Sequence, residues 1–125
     1  MGSEHPEREP CRKLLDMAAS GRLETVTSSE VLQEVLYIRL RRGSRADAVA
    51  AIQYIQSMLE EILPVTGEDI LGACDLLSSN PALDCRDAVH ASVAKRNGVK
   101  QIVTVDGDFE NIKGLRRLTP AQAIA

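Results

Sequence analysis

The chain has 125 residues, the size of one domain, and its 44% hydrophobic and 26% charged residues describe an ordinary globular protein, not a disordered one. Aromatic residues make up only 2%, so the core must be aliphatic, and base stacking on aromatic platforms is disfavoured as a binding mode. The net charge of −3 speaks against a protein that coats nucleic acid through bulk positive charge, while leaving room for a nuclease whose metal site is itself acidic.

The first predicted element is a helix over Pro6–Ser20, with Leu14, Leu15, Ala18 and Ala19 near one face and Gly21 as its stop. Leu23–Thr27 alternates apolar and polar residues and reads as a strand. Ser28 and Ser29 offer caps for a helix running to about Arg42, which Gly43 ends. Ser44 caps the next helix, Arg45 to about Ile62, with Ala48, Ile52, Ile55 and Leu59 at helical spacing. Pro64 breaks it, and Leu63–Thr66 is a short extended piece, a candidate edge strand. Gly67–Ser79 is a further helix carrying Ile70, Leu71, Cys74 and Leu77. Asp84 can cap a helix over Cys85–Asn97, closed by Gly98. Gln101–Val105 (QIVTV) is β-branched and the clearest strand. Leu115–Leu118 is a candidate last strand, and PAQAIA a final helical turn.

Strands alternating with helices imply an α/β architecture with a parallel sheet covered on both faces. Only Leu23–Thr27 and Gln101–Val105 are convincing strands, and two separated strands make a poor parallel sheet. An element that should lie between them is expected to be absent. No repeat or interdomain linker divides residues 1–125, so a single domain is expected. No apolar run reaches the length of a membrane span, and MGSEHPEREP does not read as a signal peptide, so a cytoplasmic protein without membrane contact is expected. Cys11, Cys74 and Cys85 are odd in number and lack CxxC spacing, which points to free or buried thiols.

Four acids are placed where chemistry could use them. Glu34 borders the apolar stripe of Val31, Val35 and Ile38, so it could reach into a cleft; equally, it could be a solvated helix glutamate. Asp87 opens the RDAVHASVAK helix on the face of Ala91 and Ala94, a tight-packing face, although an acid in a first turn also stabilises the helix dipole by ~0.3–1 kcal/mol. Asp106 follows the QIVTV strand, with Asp108 two residues later. Ligands in open α/β sheets bind beyond the carboxyl ends of strands, but Asp-Gly is also ordinary turn chemistry. Thr104 could orient a neighbouring carboxylate or simply fill a strand position. His90 receives no role from the sequence. Several carboxylates that hold Mg²⁺ or Mn²⁺ and leave water positions open suit phosphodiester hydrolysis. No nucleophile triad signature, P-loop or GxGxxG competes.

TSSEVLQEVL (27–36) and RDAVHASVAKRNGVKQIVTVDGDFENIKGLRRLTP (86–120) resemble the PIN-domain family, especially its VapC-type toxins. The second stretch is the more specific: an aspartate opening an Ala-rich helix, an Asn-Gly exit, a β-run ending Thr-x-Asp-x-Asp-Phe, and a closing Leu-x-x-Leu-x-Pro. The resemblance implies a three-layer α/β/α sandwich with a short parallel sheet, and a metal-dependent endoribonuclease that hydrolyses RNA phosphodiesters with Mg²⁺ or Mn²⁺. It implies Glu34, Asp87 and Asp106 as catalytic metal ligands, Asp108 as a neighbouring ligand, and Phe109 and Leu115 as core. It also implies an earlier, central strand ending in the family's first aspartate. The opening MGSEHPEREP resembles the segment after that strand, so the first strand is expected to be missing and activity impaired. The alternative is a non-catalytic PIN-like module that binds RNA or a protein. An antitoxin partner and a homodimer follow from the resemblance alone. The basic run Arg39, Arg41, Arg42 and Arg45 could meet RNA phosphates or an acidic antitoxin segment; as cations near a helix C-terminus, these residues could also simply be solvated.

Overall fold

The computed structural model describes residues 8–104 and 106–125. Among these the chain forms helices α1 (Arg8–Ala19), α2 (Ser29–Arg42), α3 (Arg45–Met58), α4 (Gly67–Ser79), α5 (Cys85–Arg96) and α6 (Pro120–Ile124), and strands β1 (Val26–Ser28), β2 (Glu61–Leu63), β3 (Gln101–Val103) and β4 (Arg116–Leu118). It is a mostly helical α/β fold with short parallel strands. Polar caps set most of the boundaries. Ser28 ends β1 and also caps α2, its Oγ accepting from Val31 N–H at 3.3 Å. Ser44 caps α3 through Asp47 N–H at 3.1 Å, and Asp84 caps α5 through Asp87 N–H at 2.9 Å. Thr66 and Asp69 form a capping box at α4. Gly21, at φ 78°, supplies the left-handed turn that leaves α1.

Several boundaries differ from the sequence expectation. The first strand is Val26–Ser28, not Leu23–Thr27, because Ser28 pairs with Leu63. The third helix stops at Met58, four residues short of Ile62, and Glu61–Leu63 becomes a strand instead. Two bonds force that exit: Thr25 Oγ1 donates to Met58 O at 2.9 Å, and Glu60 N–H donates to Thr25 O at 2.6 Å. The extended piece expected at Leu63–Thr66 therefore lies earlier. Pro6, Glu7 and Val105, included in the expected first helix and last clear strand, lie outside the described residues.

β1 pairs in parallel with β2, and β3 with β4, as two separate two-stranded sheets. No ladder joins β1 to β3 among the described residues. Between them lies a cavity of about 560 Å³, walled by Thr25–Ser28 on one side and Gln101–Thr104 on the other, with Leu14, Val93 and Ala94 in its lining. Val26 and Val103 remain 38% and 40% exposed beside it. Among the described residues, the expected gap between the two strand regions is therefore present.

The core lies to one side of that gap. Leu63, Leu76, Leu83, Val89, Val93, Ile112 and Leu115 form it, with the chain's single phenylalanine, Phe109, 4% exposed. α4 packs on α5, α2 on α3, and α1 on α6. In α4 the buried face is Asp69, Ala73 and Leu76, while Ile70, Leu71 and Leu77 are exposed. The small residues of α5 dictate this choice. Ala88 and Ala91 are 0% exposed, and such a face admits a close helix whose own contact residues are small.

Candidate metal centre

α5 brings Asp87 to the cavity and the turn after β3 brings Asp106, with Asp108 following two residues later. Each is locally fixed. Asp87 sits in the first turn of α5, held by the Asp84 cap, and the following Ala88 is fully buried. Asp106 N–H donates to Thr104 Oγ1 at 3.0 Å, and the Asp106 carboxylate accepts from Asp108 N–H at 2.9 Å. Asp106 is therefore both a turn cap and a member of the acidic cluster, and Thr104 orients the backbone that carries it. One carboxylate oxygen from each of Asp87, Asp106 and Asp108 lies within 4.8 Å of the others. Asp87 and Asp106 are half-buried and Asp108 is exposed.

The carboxylates of this cluster repel one another. Burial first, then the negative charges of Asp84, Asp106 and Asp108, push the Asp87 carboxyl up to about 6. An all-oxygen donor set of three carboxylates fits a hard divalent ion. In octahedral coordination at about 2.0–2.1 Å, opposite oxygens stand about 4.2 Å apart. Neighbouring oxygens stand about 2.9 Å apart, so three carboxylate oxygens lying within 4.8 Å of one another would have to draw in by up to about 2 Å to share one ion.

Glu34 lines the same cavity as Asp87, His90 and Asp106 but stands outside the three-aspartate cluster. Its Oε1 lies 3.9 Å from Arg86 and its Oε2 3.8 Å from His90 Nε2. Oε2 is buried and has no hydrogen-bond partner. Burial, working against the nearby Glu34 and Glu30 carboxylates, lowers the His90 pKa, so the imidazole is uncharged at neutral pH and the His90–Glu34 contact is not an ion pair there. His90 Nδ1 lies 3.4 Å from Ser28 Oγ. Sequence reasoning passed over His90 and read Asp84 only as a cap. The one available signal was position: His90 falls one turn after Asp87, on a face that α5 turns toward α2.

The PIN domain model matches residues 1–115. The chain belongs to the PIN-domain family. Within that family it is 32% identical over 120 residues to VapC ribonuclease Mb1869c of Mycobacterium bovis, covering 94% of this chain and 90% of the relative. It is 32% identical over 123 residues to Ribonuclease VapC7 of Mycobacterium tuberculosis, covering 98% of this chain and 85% of the relative. Ribonuclease VapC23 of the same species is 35% identical over 108 residues, covering 85% and 83%. The crystal structure of DNA-bound VapBC from Salmonella typhimurium shares the fold, with a TM-score of 0.71 at 19% identity over 92% of this chain and 87% of that one. The PIN fold of this chain is the expected α/β one. Its described helices include none long and apolar enough to cross a membrane.

Proposed function

We propose that the protein is a VapC-type endoribonuclease that hydrolyses RNA phosphodiesters at the Asp87, Asp106 and Asp108 cluster, with Glu34 at its border. The observation that carries this reading is the convergence of the three carboxylates from two separate elements. The relatives named as VapC ribonucleases supply the reaction class. Asp87, Asp106 and Asp108 would hold Mg²⁺ or Mn²⁺, with Glu34 completing the anionic rim. A divalent ion there supplies positive charge for the phosphate and acidifies water near neutral pH. Exposed Arg39, Arg41, Arg42 and Arg45 offer phosphate contacts beyond the site. An antitoxin partner belongs to this reading, supported by the VapBC complex that shares the fold; a homodimer belongs to it through the family resemblance alone.

The test is cleavage of a mixed RNA pool with Mn²⁺ or Mg²⁺, with and without EDTA, beside direct measurement of Mn²⁺ binding. Asp87→Asn keeps the size and removes the charge. It should lower cleavage by about 10²-fold or more and weaken Mn²⁺ binding. Unchanged binding and cleavage would sink the site assignment. The second reading, a non-catalytic RNA- or protein-binding module, is favoured by the open cavity between β1 and β3. It would show as RNA retention indifferent to both EDTA and Asp87→Asn.

A further inference from the structure

His90 bridges α5 and the α2 cap at the edge of the acidic cavity, and the hydrogen positions around it are constrained. Ser28 Oγ already accepts the Val31 N–H that caps α2, so its own proton is free to point elsewhere. His90 Nδ1, 3.4 Å away, is an acceptor for it when the ring proton sits on Nε2. On the other side of the ring, Nε2 is 3.8 Å from Glu34 Oε2, and that oxygen is buried without a partner. A buried carboxylate oxygen left unsatisfied is costly. Among the described residues Arg86 also approaches Glu34, on the opposite oxygen at 3.9 Å, with its side chain 60% exposed. The His90 side chain is 15% exposed, and its fixed ring can hold a direction that a solvated arginine cannot.

We propose that His90 is a positioning residue: the Ser28 hydroxyl donates to Nδ1, so Nε2–H is the proton that faces Glu34 Oε2, and closing the 3.8 Å between them gives that oxygen its partner and aims the Glu34 carboxylate into the cavity shared with Asp87 and Asp106. Outer groups of this kind orient ligating carboxylates and histidines in metal sites. The consequence for metal binding rests on the nuclease reading; the orientation of Glu34 does not.

The test uses the full chain, labelled with ¹⁵N and ¹³C and free of metal, at neutral pH. The expected spectrum of His90 is the Nε2–H tautomer, with Nδ1 unprotonated. Two substitutions separate positioning from packing. His90→Gln can place an amide N–H near the Nε2 position, whereas His90→Asn reaches only the Nδ1 position. The Glu34 side-chain carboxyl carbon should shift in His90→Asn and return toward its original value in His90→Gln. Mn²⁺ affinity should fall about 10-fold in His90→Asn and stay within about twofold in His90→Gln. The Nδ1–H tautomer, or a Glu34 carboxyl signal unmoved by His90→Asn, overturns the proposal. Should either variant fail to fold, the imidazole tautomer of the unaltered protein decides by itself. Absence of Mn²⁺ binding by the unaltered protein overturns the nuclease reading instead, while the metal-free imidazole and carboxyl signals still decide the role of His90.

Discussion

Asp87 is the residue through which pH should act, because its carboxyl is pushed up to about 6 from 3.8. Between those two values the folded, metal-free protein holds a proton that the unfolded chain has released. Folding stability in EDTA should therefore fall as pH rises from about 4 to about 6. Asp87 is only partly buried, so the loss should be about 1–2 kcal/mol rather than the full value of the shift. Asp87→Asn should flatten this slope and raise the metal-free melting temperature at pH 7. Mn²⁺, which needs the ionised form, should stabilise the unaltered protein most above pH 6. Thermal melts at pH 4.5 and 7, with EDTA or Mn²⁺, read all of this, and a metal-free melting temperature that rises over the window would refute it. Asp69 works in the opposite direction. It is 0% exposed and receives Arg96 Nε at 2.6 Å and Thr66 N–H at 2.8 Å. Arg96 foremost holds its pKa below the usual value, against the upward push of burial. That contribution is present above about pH 4 and is lost as acid protonates the folded carboxyl. Arg96→Ala would strand a buried charge and should cost about 2–4 kcal/mol in urea unfolding, near the lower end for broken buried pairs because Arg96 is itself partly solvated. A cost below about 1 kcal/mol would show the pair behaving like a surface one.

At the scale of elements, the contact between α4 and α5 is set by small residues. A Cβ built at Gly72 would meet Ser92 Oγ, while Ser92 Cβ is 3.6 Å away at ordinary contact distance. Gly72→Ala should gain about 0.5–1 kcal/mol in helix propensity, offset by forcing the Ser92 hydroxyl to rotate. Gly72→Ala combined with Ser92→Ala should release that cost and be the more stable of the two in urea titrations. A double variant less stable than the single one would show that the hydroxyl itself is needed in the helix contact. Such tight packing was only partly legible beforehand. The small face of α5 could be read from Ala91 and Ala94, but the apolar residues read on α4, Ile70, Leu71, Cys74 and Leu77, are the exposed ones, because periodicity reports apolar spacing and not the depth its partner allows. Caps carried most of the boundaries: Ser28, Ser44 and Asp84 stand where expected. The end of α3 at Met58 depends on Thr25, more than thirty residues earlier, so nothing local announced it. For the site, the meeting of Asp87 with Asp106 and Asp108 followed from element ends. Asp106 needed no choice between turn and site, since its cap bond and its cluster contact coexist. The position of Glu34 beside His90 depends on how α2 and α5 cross, which spacing within either helix does not contain.

Across the whole molecule, the two half-sheets decide how well the site is held. β1 pairs only with β2, and β3 only with β4, among the described residues. Each therefore presents an unpaired edge beside the shared cavity, and unpaired edges invite pairing with another chain. The acids stand at the border of this opening. Asp106 and Asp108 follow β3, Glu34 follows β1 by way of α2, and no described hydrogen-bonded ladder ties these two sides together. Hard cations depend on ligand charge and placement, and a misplacement of about 1 Å can cost ~10²-fold in rate. The chain of 125 residues should therefore be a weak nuclease even with Mn²⁺. A strand laid between β1 and β3 would bond to both edges, cover Val26 and Val103, and lock the carboxylates in register. If that strand ended in aspartate, as the family resemblance implies, it would add an anionic ligand as well. A version extended at its N-terminus by such a strand should gain EDTA-sensitive cleavage of a mixed RNA pool by about 10²-fold and lose it again with Asp87→Asn. An extension ending in asparagine instead should restore stability with far less activity, which separates sheet closure from the added ligand. Strong EDTA-sensitive cleavage by the unextended chain would refute the claim that the open sheet limits the site. Equal cleavage by the aspartate and asparagine extensions would refute the role of the added carboxylate.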